Sequence, residues 1–378
     1  MKTLLIFLVL LSDSFAMTKV SLGIASNFSE PSSSSSNPYG DYFRNGIKLA
    51  LEDSGQRLMQ KKIAVELQEF DYGTNQIKVL EAAKLAQASL VIGVIGYNFS
   101  SHALIAAPLH QNAKLPMITP SATADRLSKM GQYIHLGCFD NSFMGTTLAD
   151  VASKKLKAKR AAIVVAADCA YCQDLARAFE ERFKKIGGAI VHRQEVLESD
   201  KDFTSTIEAL KQQDFDVILV PNQELNSARI ISALLQAKIN RPFLGGDGWG
   251  NVGDEFFSVI GKQEFKGYSV SHWHVDQKNP RSTKFFADYL NKFGKGPNDT
   301  SVLAYDTTLY VIEALLKTHN FSREGLEQAL QSITYFQGVT GEFHYNKNSA
   351  PKKSLVLLEV NRSKFKVVEQ INPIVSKR

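Results

Sequence analysis

The chain has 378 residues, 44% hydrophobic and 22% charged, which excludes a disordered or fibrous protein and suggests two domains, each able to bury its own core. Lys and Arg number 44 against 38 Asp and Glu; this net +6 is spread along the chain without a basic patch or stripe, so no nucleic-acid partner is expected. Three cysteines are too few for a disulfide scaffold.

Residues 1–16 read as a secretory signal. Lys2 gives a positive start, Leu4–Leu11 is an unbroken apolar run too short to span a bilayer, and Ser14-Phe15-Ala16 offers small residues where a signal peptidase reads. No cysteine opens the mature chain, as a lipoprotein would need. No later run approaches the roughly 18–20 apolar residues of a transmembrane helix. The expectation is an exported, soluble protein.

Short apolar runs then alternate with segments of helical period. Val20–Ala25 reads as a strand and Gly40–Asp53 as a helix with Phe43, Ile47, Ala50 and Leu51 on one face. Ile63–Phe70 is the next strand and Thr74–Gln87 the next helix. Leu90–Ile95 is almost wholly apolar, as suits a strand buried on both faces. Ser101–Asn112 follows as a helix and Met117–Thr119 as a short strand. A second series opens with a helix over Asn141–Lys157, its basic residues crowded at the C-terminal end, where the helix dipole favours them. Ala161–Ala167 is a strand and Gln173–Ile186 a helix, and the alternation continues to Phe243–Gly245. Helices near Ser282–Phe293, Ser301–Lys317 and from Arg323 precede a tail of strands and turns, Gly341–Val368. This pattern predicts an α/β protein of two doubly wound parallel-sheet lobes. The Ser32–Ser36 run is a polar loop, and no linker separates the series, so a hinge of three crossings is expected to join the lobes.

In open parallel sheets, ligands sit beyond the carboxyl ends of the strands. After Leu90–Ile95 come Gly96-Tyr97-Asn98-Phe99-Ser100-Ser101, and after Met117–Thr119 come Pro120-Ser121-Ala122-Thr123. Hydroxyls and backbone N–H groups at a helix start suit a carboxylate, although plain N-capping explains the same residues. In the second series, Asp168-Cys169-Ala170-Tyr171-Cys172 and Gly245-Gly246-Asp247-Gly248-Trp249-Gly250 stand at the corresponding junctions. The glycines let a backbone come close to a ligand and present Asp247; a surface turn is the bland alternative. A zwitterion held between the lobes would match both ends.

At these junctions the sequence resembles the leucine/isoleucine/valine-binding proteins of bacterial ABC importers, within the type I periplasmic-binding-protein family. The carriers run from Leu22-Gly23-Ile24 and Tyr39-Gly40-Asp41 through Asp71, Val91–Gly96, Ser100, Pro116–Thr123, Tyr171 and Asp202-Phe203 to Gly245–Gly248. The resemblance implies that Ser100 and Thr123, helped by backbone at Ser121, hold a ligand carboxylate. It implies that Asp247 pairs with the ligand ammonium, that Tyr171 closes over the ligand, and that Tyr39 borders the side-chain pocket. Gln223 departs from the family, where an aromatic residue is common, and Trp249 is offered as a pocket wall in its place. The implied function is the periplasmic solute-binding component of an importer. It takes an amino acid in the inter-lobe cleft, delivers it to a membrane permease, and works as a monomer with no cofactor, no metal and no catalysis. The implied lobes are residues 17–139 with 273–349 and residues 140–272 with 350–378. Relatives of this fold also bind amides, urea or aromatic acids, and some sense ligands for a separate membrane receptor.

Two features suggest other chemistry. Cys169-Ala170-Tyr171-Cys172 has the context of a thioredoxin-like redox motif, a local disulfide, free thiols or a pairing with Cys138. His272-Trp273-His274, with Asp276 nearby, would set two histidines on one side of a strand, though the end of a strand between lobes explains them better than a metal.

Overall fold

The computed structural model describes residues 17–29, 39–73, 75–250, 254–277, 279–346, 350–360 and 364–373. The expected signal, residues 1–16, and the Ser32–Ser36 run lie outside the described residues.

The first series comprises β1 (Thr18–Ser26), α1 (Tyr39–Asp53), α2 (Gly55–Gln60), β2 (Ile63–Asp71), α3 (Gln76–Ala88), β3 (Val94–Gly96), α4 (Ser100–Asn112), β4 (Met117–Thr119) and β5 (Ile134–Leu136). Its five strands form one parallel sheet in the order β2-β1-β3-β4-β5. The inner strands β3 and β4 are buried along their whole length, which is why their sequences run apolar without alternation. The strand expected at Leu90–Ile95 is shorter than the apolar run suggests. Leu90 is 92% exposed, and hydrogen bonding to β1 begins only where Ile92 N–H meets Ser21 O at 3.0 Å. The helix expected over Thr74–Gln87 begins at Gln76, where the Asn75 side chain caps it by accepting from Ile77 N–H at 2.7 Å.

The second series runs α5 (Asn141–Asp150), β6 (Arg160–Ala166), α6 (Ala170–Lys185), β7 (Ala189–Val196), α7 (Thr204–Lys211), β8 (Val217–Leu219), α8 (Glu224–Gln236), β9 (Phe243–Gly245), α9 (Asp254–Ile260) and β10 (Gly267–Ser271). The helix expected over 141–157 widens its hydrogen-bond spacing at Val151, where a single π-type turn carries Val151–Lys155. After β10 come α10 (Pro280–Phe293), α11 (Asp299–Lys317), α12 (Arg323–Ser332), the short strands β11 (Tyr335–Gln337), β12 (Glu342–His344) and β13 (Lys352–Lys353), and finally β14 (Leu355–Val360) and β15 (Phe365–Ile371). The second sheet has the order β15-β14-β10-β9-β8-β6-β7. It is parallel from β7 to β10, but β14 and β15 add to it antiparallel, so this sheet is mixed at one edge.

After β10 the chain returns to the first sheet. Fourteen of the nineteen residues of α11 are buried, so it must be packed on more than one side. It lies against α1, α12 and β3, with Ile47, Ile95, Tyr310, Val311 and Leu326 in one core. The single acid in its middle, Asp306, is satisfied by Val339 N–H at 2.7 Å, Thr340 N–H at 2.9 Å and the Thr340 hydroxyl at 2.6 Å. Then β14 and β15 return to the second sheet, so the chain passes between the sheets three times: after β5, after β10 and before β14.

Gly46 lets α1 and α11 touch: a Cβ there would lie 2.1 Å from the Ser301 backbone oxygen. Gly46→Ala should therefore force the helices apart and lower stability by about 1–3 kcal/mol. Urea unfolding reads this directly, and an unchanged midpoint would show that the contact yields freely.

Candidate functional site

The carboxyl ends of β1–β4 and of β6–β9 carry the residues that the sequence singles out. In the first sheet, Gly96 ends β3 and Tyr97 follows with φ +57°, a left-handed backbone that a non-glycine residue adopts at a cost. The turn is pinned on both sides: Tyr97 N–H donates to Ala25 O at 3.1 Å and the Thr119 hydroxyl donates to Tyr97 O at 3.0 Å. It delivers Ser100 to the first position of α4, where its Oγ accepts from Ala124 N–H at 3.2 Å. Ser121 Oγ donates to Asn98 O at 2.9 Å, and Thr123, buried, accepts from Asn141 N–H at 2.9 Å through its carbonyl. Ser100, Ser121 and Thr123 are thus tied into one backbone-linked patch.

In the second sheet, β6 runs into α6, whose first turn holds Tyr171, and β9 runs into a 3₁₀ turn, Asp247–Trp249. The Tyr171 hydroxyl accepts from Gly248 N–H at 3.0 Å and lies beside the Asp247 carboxylate. Burial, and then the negative charge of Asp247, hold the Tyr171 phenol well above its ordinary range, so it stays protonated. Asp247 Oδ2 accepts from His272 Nε2 at 2.9 Å, while Asp247 Oδ1 is buried and has no hydrogen-bond partner. Burial lowers the His272 pKa, with Asp247 opposing, so the ring is neutral and its one proton belongs on Nε2, facing the carboxylate.

The two halves meet at Tyr39. Its hydroxyl reaches the Thr300 and Ser121 hydroxyls and feels the charges of Asp299 and Asp247, and its ring stacks on Phe99 at 5.4 Å. Asp299 opens α11 and accepts from the Ser271 hydroxyl at 2.8 Å. Burial pushes its carboxyl up to about 8, with the nearby Asp247 charge adding and Ser271 and Lys353 opposing. Behind Asp247, the His272 ring stacks on Phe139 at 3.9 Å, and Lys353 Nζ lies 5.3 Å over the same Phe139 ring and donates to His272 O at 3.3 Å. Burial lowers the Lys353 ammonium to about 8 against the pull of Asp306, Asp299 and Asp247.

Tyr39, Ser121, Tyr171 and Asp247 are therefore brought together, with Ser100 and Thr123 in the same patch of the first sheet. Gln223 stands just before α8, half-buried, and makes no side-chain cap bond. Trp249 requires a correction. It is fully buried, its indole N–H donates to Val220 O at 2.9 Å and its ring stacks on Phe256 at 5.1 Å, which makes it part of the second sheet's core and not a pocket wall. Gly245 has no side chain because a Cβ there would fall 2.0 Å from this indole. Nothing in the sequence marks Asp299, Thr300 or Lys353 as neighbours of this group, and His272, the residue after β10, reads there only as a metal ligand or a strand end.

Cys169 and Cys172 form a disulfide across the first turn of α6, and Cys138 is buried and free. The one group of metal-capable side chains among the described residues is Cys169, Cys172 and Glu198, and the disulfide uses both sulfurs. His274 turns to its own loop, accepting from Asp276 N–H at 3.2 Å through Nδ1.

Residues 20–365 match the periplasmic binding protein family. The chain belongs to that family. The Leu/Ile/Val-binding protein of Escherichia coli (strain K12) is 26% identical over 215 residues, 57% of this chain and 58% of that protein, so the chain spans little more than half the length of such relatives. The crystal structure of a leucine-binding protein from Thermotoga maritima superposes with a TM-score of 0.84 at 25% identity, covering 94% of this chain and 99% of that one. A solute-binding protein from R. palustris in complex with 4-hydroxybenzoate has the same fold, with a TM-score of 0.82 at 22% identity over 94% and 97% of the two chains. The family is one of binding proteins and not of enzymes, in agreement with the sequence reading, and no helix among the described residues is long and apolar enough to cross a membrane.

His272→Phe would keep the stack on Phe139 and delete the bond to Asp247. A buried acceptor that loses its donor costs about 1–3 kcal/mol. The expected result is a matching fall in unfolding free energy; a variant as stable as the parent would mean that the bond contributes nothing.

Proposed function

We propose that the chain is the exported, periplasmic binding component of an ABC importer, which captures an amino acid between its two lobes and hands it to a membrane permease. The lobes are residues 17–139 with 273–349 and residues 140–272 with 350–378, and the three passes between the sheets are the hinge. The observation that carries the reading is Asp247: a half-buried carboxylate with one oxygen bonded to His272 and the other, Oδ1, buried and unbonded, set beside Tyr171 and across from Tyr39 and Ser121.

An unbonded buried carboxylate oxygen calls for a donor, and a ligand ammonium supplies a charged one. The hydroxyls of Ser100, Ser121 and Thr123, with the backbone N–H groups opening α4, receive the ligand carboxylate. Tyr171 covers the ligand from the second lobe, Tyr39 borders its side chain, and Gln223 stands at the rim. Because both lobes touch the ligand only when they approach, binding selects the closed arrangement. The names of the E. coli and Thermotoga relatives support an amino acid as the guest.

Asp247→Ala should leave the protein folded and weaken amino-acid binding by about 2–5 kcal/mol, the cost of stranding one member of a buried charged pair. Calorimetric titration with an amino-acid panel measures it. Equal affinity in parent and variant would remove Asp247 from the site, and heat from 4-hydroxybenzoate but from no amino acid would replace the ligand class.

A further inference from the structure

A second polar group lies at the carboxyl edge of the first sheet, next to Tyr39. Its members follow three different strands: Ser26 ends β1, Tyr72 follows β2 and Asn98 follows β3, while His102 enters from the first turn of α4. The His102 ring stands edge-on to Tyr72 at 5.1 Å and to Phe99 at 5.5 Å. Asn98 Nδ2 donates to Ser26 Oγ at 3.3 Å, which in turn donates to Asn27 Oδ1 at 3.2 Å.

Three atoms remain unmet. Tyr72 Oη, Asn98 Oδ1 and His102 Nδ1 are buried with no hydrogen-bond partner, on residues that are 0%, 4% and 9% exposed. The Ser26 hydroxyl and the Asn98 backbone lie near Tyr72 Oη without bonding it. The Tyr72 hydroxyl also feels that of Tyr39, which reaches Ser121 and Thr300, so the group adjoins the cleft residues. Buried polar atoms in folded proteins are nearly always bonded, and three orphans on neighbouring residues next to Tyr39 need an explanation.

Resting on the amino-acid reading above, we propose that Tyr72, Asn98 and His102 select a polar, uncharged ligand side chain ending in a hydroxyl or a carboxamide, not the aliphatic side chain of leucine, isoleucine or valine. Asn98 Oδ1 can only accept, so the ligand must bring a donor. Tyr72 Oη and His102 Nδ1 can each donate or accept, so an acceptor on the same ligand group is also met. Burial pulls His102 down to about 4, which keeps it neutral, and the three orphans include no carboxylate and no ammonium. A charged ligand side chain would find no counter-charge among them, and an aliphatic one would seal all three off unbonded.

Calorimetric titration of the full chain and of Tyr72→Phe with glutamine, threonine, tyrosine and leucine tests this. Wild type should bind at least one of the three polar amino acids about tenfold or more tightly than leucine, a difference within the reach of unmet buried hydrogen bonds. Tyr72→Phe, which removes only the hydroxyl, should erase most of that preference by weakening the polar ligand while leaving leucine equal or tighter. Leucine preferred by wild type, with the ratio unmoved in Tyr72→Phe, would overturn this inference and leave the amino-acid cleft standing. Binding of none of the four would overturn both.

Discussion

A carboxylate cannot be taken out of water without partners, and the way this chain meets that demand at Asp247 organises everything around it. His272 donates to one oxygen at 2.9 Å. The ring of His272 lies flat on Phe139, and Lys353 lies over the same Phe139 ring and donates to His272 O. Phe139 belongs to the first pass between the sheets, His272 to the second and Lys353 to the third. The segments that join the two sheets therefore converge directly behind the acid. In the proposed reading, any rotation of one lobe against the other shifts this stack, and so changes how Asp247 is held.

Charge in the cleft is nearly balanced within the protein itself. Asp247 is offset by the Lys353 ammonium, while burial favours the neutral forms of Asp299 and His272. A zwitterion adds no net charge to this arrangement. In the proposed reading its ammonium supplies the donor that Asp247 Oδ1 lacks, and its carboxylate meets neutral hydroxyls and N–H groups. Arg177 on α6 reaches Asp125 of the first series at 3.7 Å, and Asp125 also accepts from Ser142 N–H and Oγ. The Arg177–Asp125 pair is long and its arginine exposed, so it contributes little to stability.

The parts of the fold that could be read from sequence were those set by local pattern. The run Ala161–Ala167 announces β6 because a strand covered on both faces has no polar side to show. Asp247 drew notice as a lone acid among glycines after a buried strand, a pattern that a surface turn also explains. Leu90 misled because an apolar residue beyond the first ladder bond extends a run without extending the strand. Trp249 misled because two residues beyond Asp247 the 3₁₀ turn points back into the core. His272, Asp299 and Lys353 lie far apart along the chain, after β10, at the start of α11 and in β13, so nothing in their own neighbourhoods marks them as neighbours of Asp247. The same holds for Tyr72, Asn98 and His102, whose significance is the bonds they do not make.

Small-angle X-ray scattering of the purified chain, alone and with a saturating amino acid that calorimetry has identified, tests the central claim most directly. The account predicts a smaller radius of gyration with the amino acid present and no change in the Asp247→Ala variant at the same concentration. Identical scattering profiles of the wild type with and without a bound amino acid would contradict it.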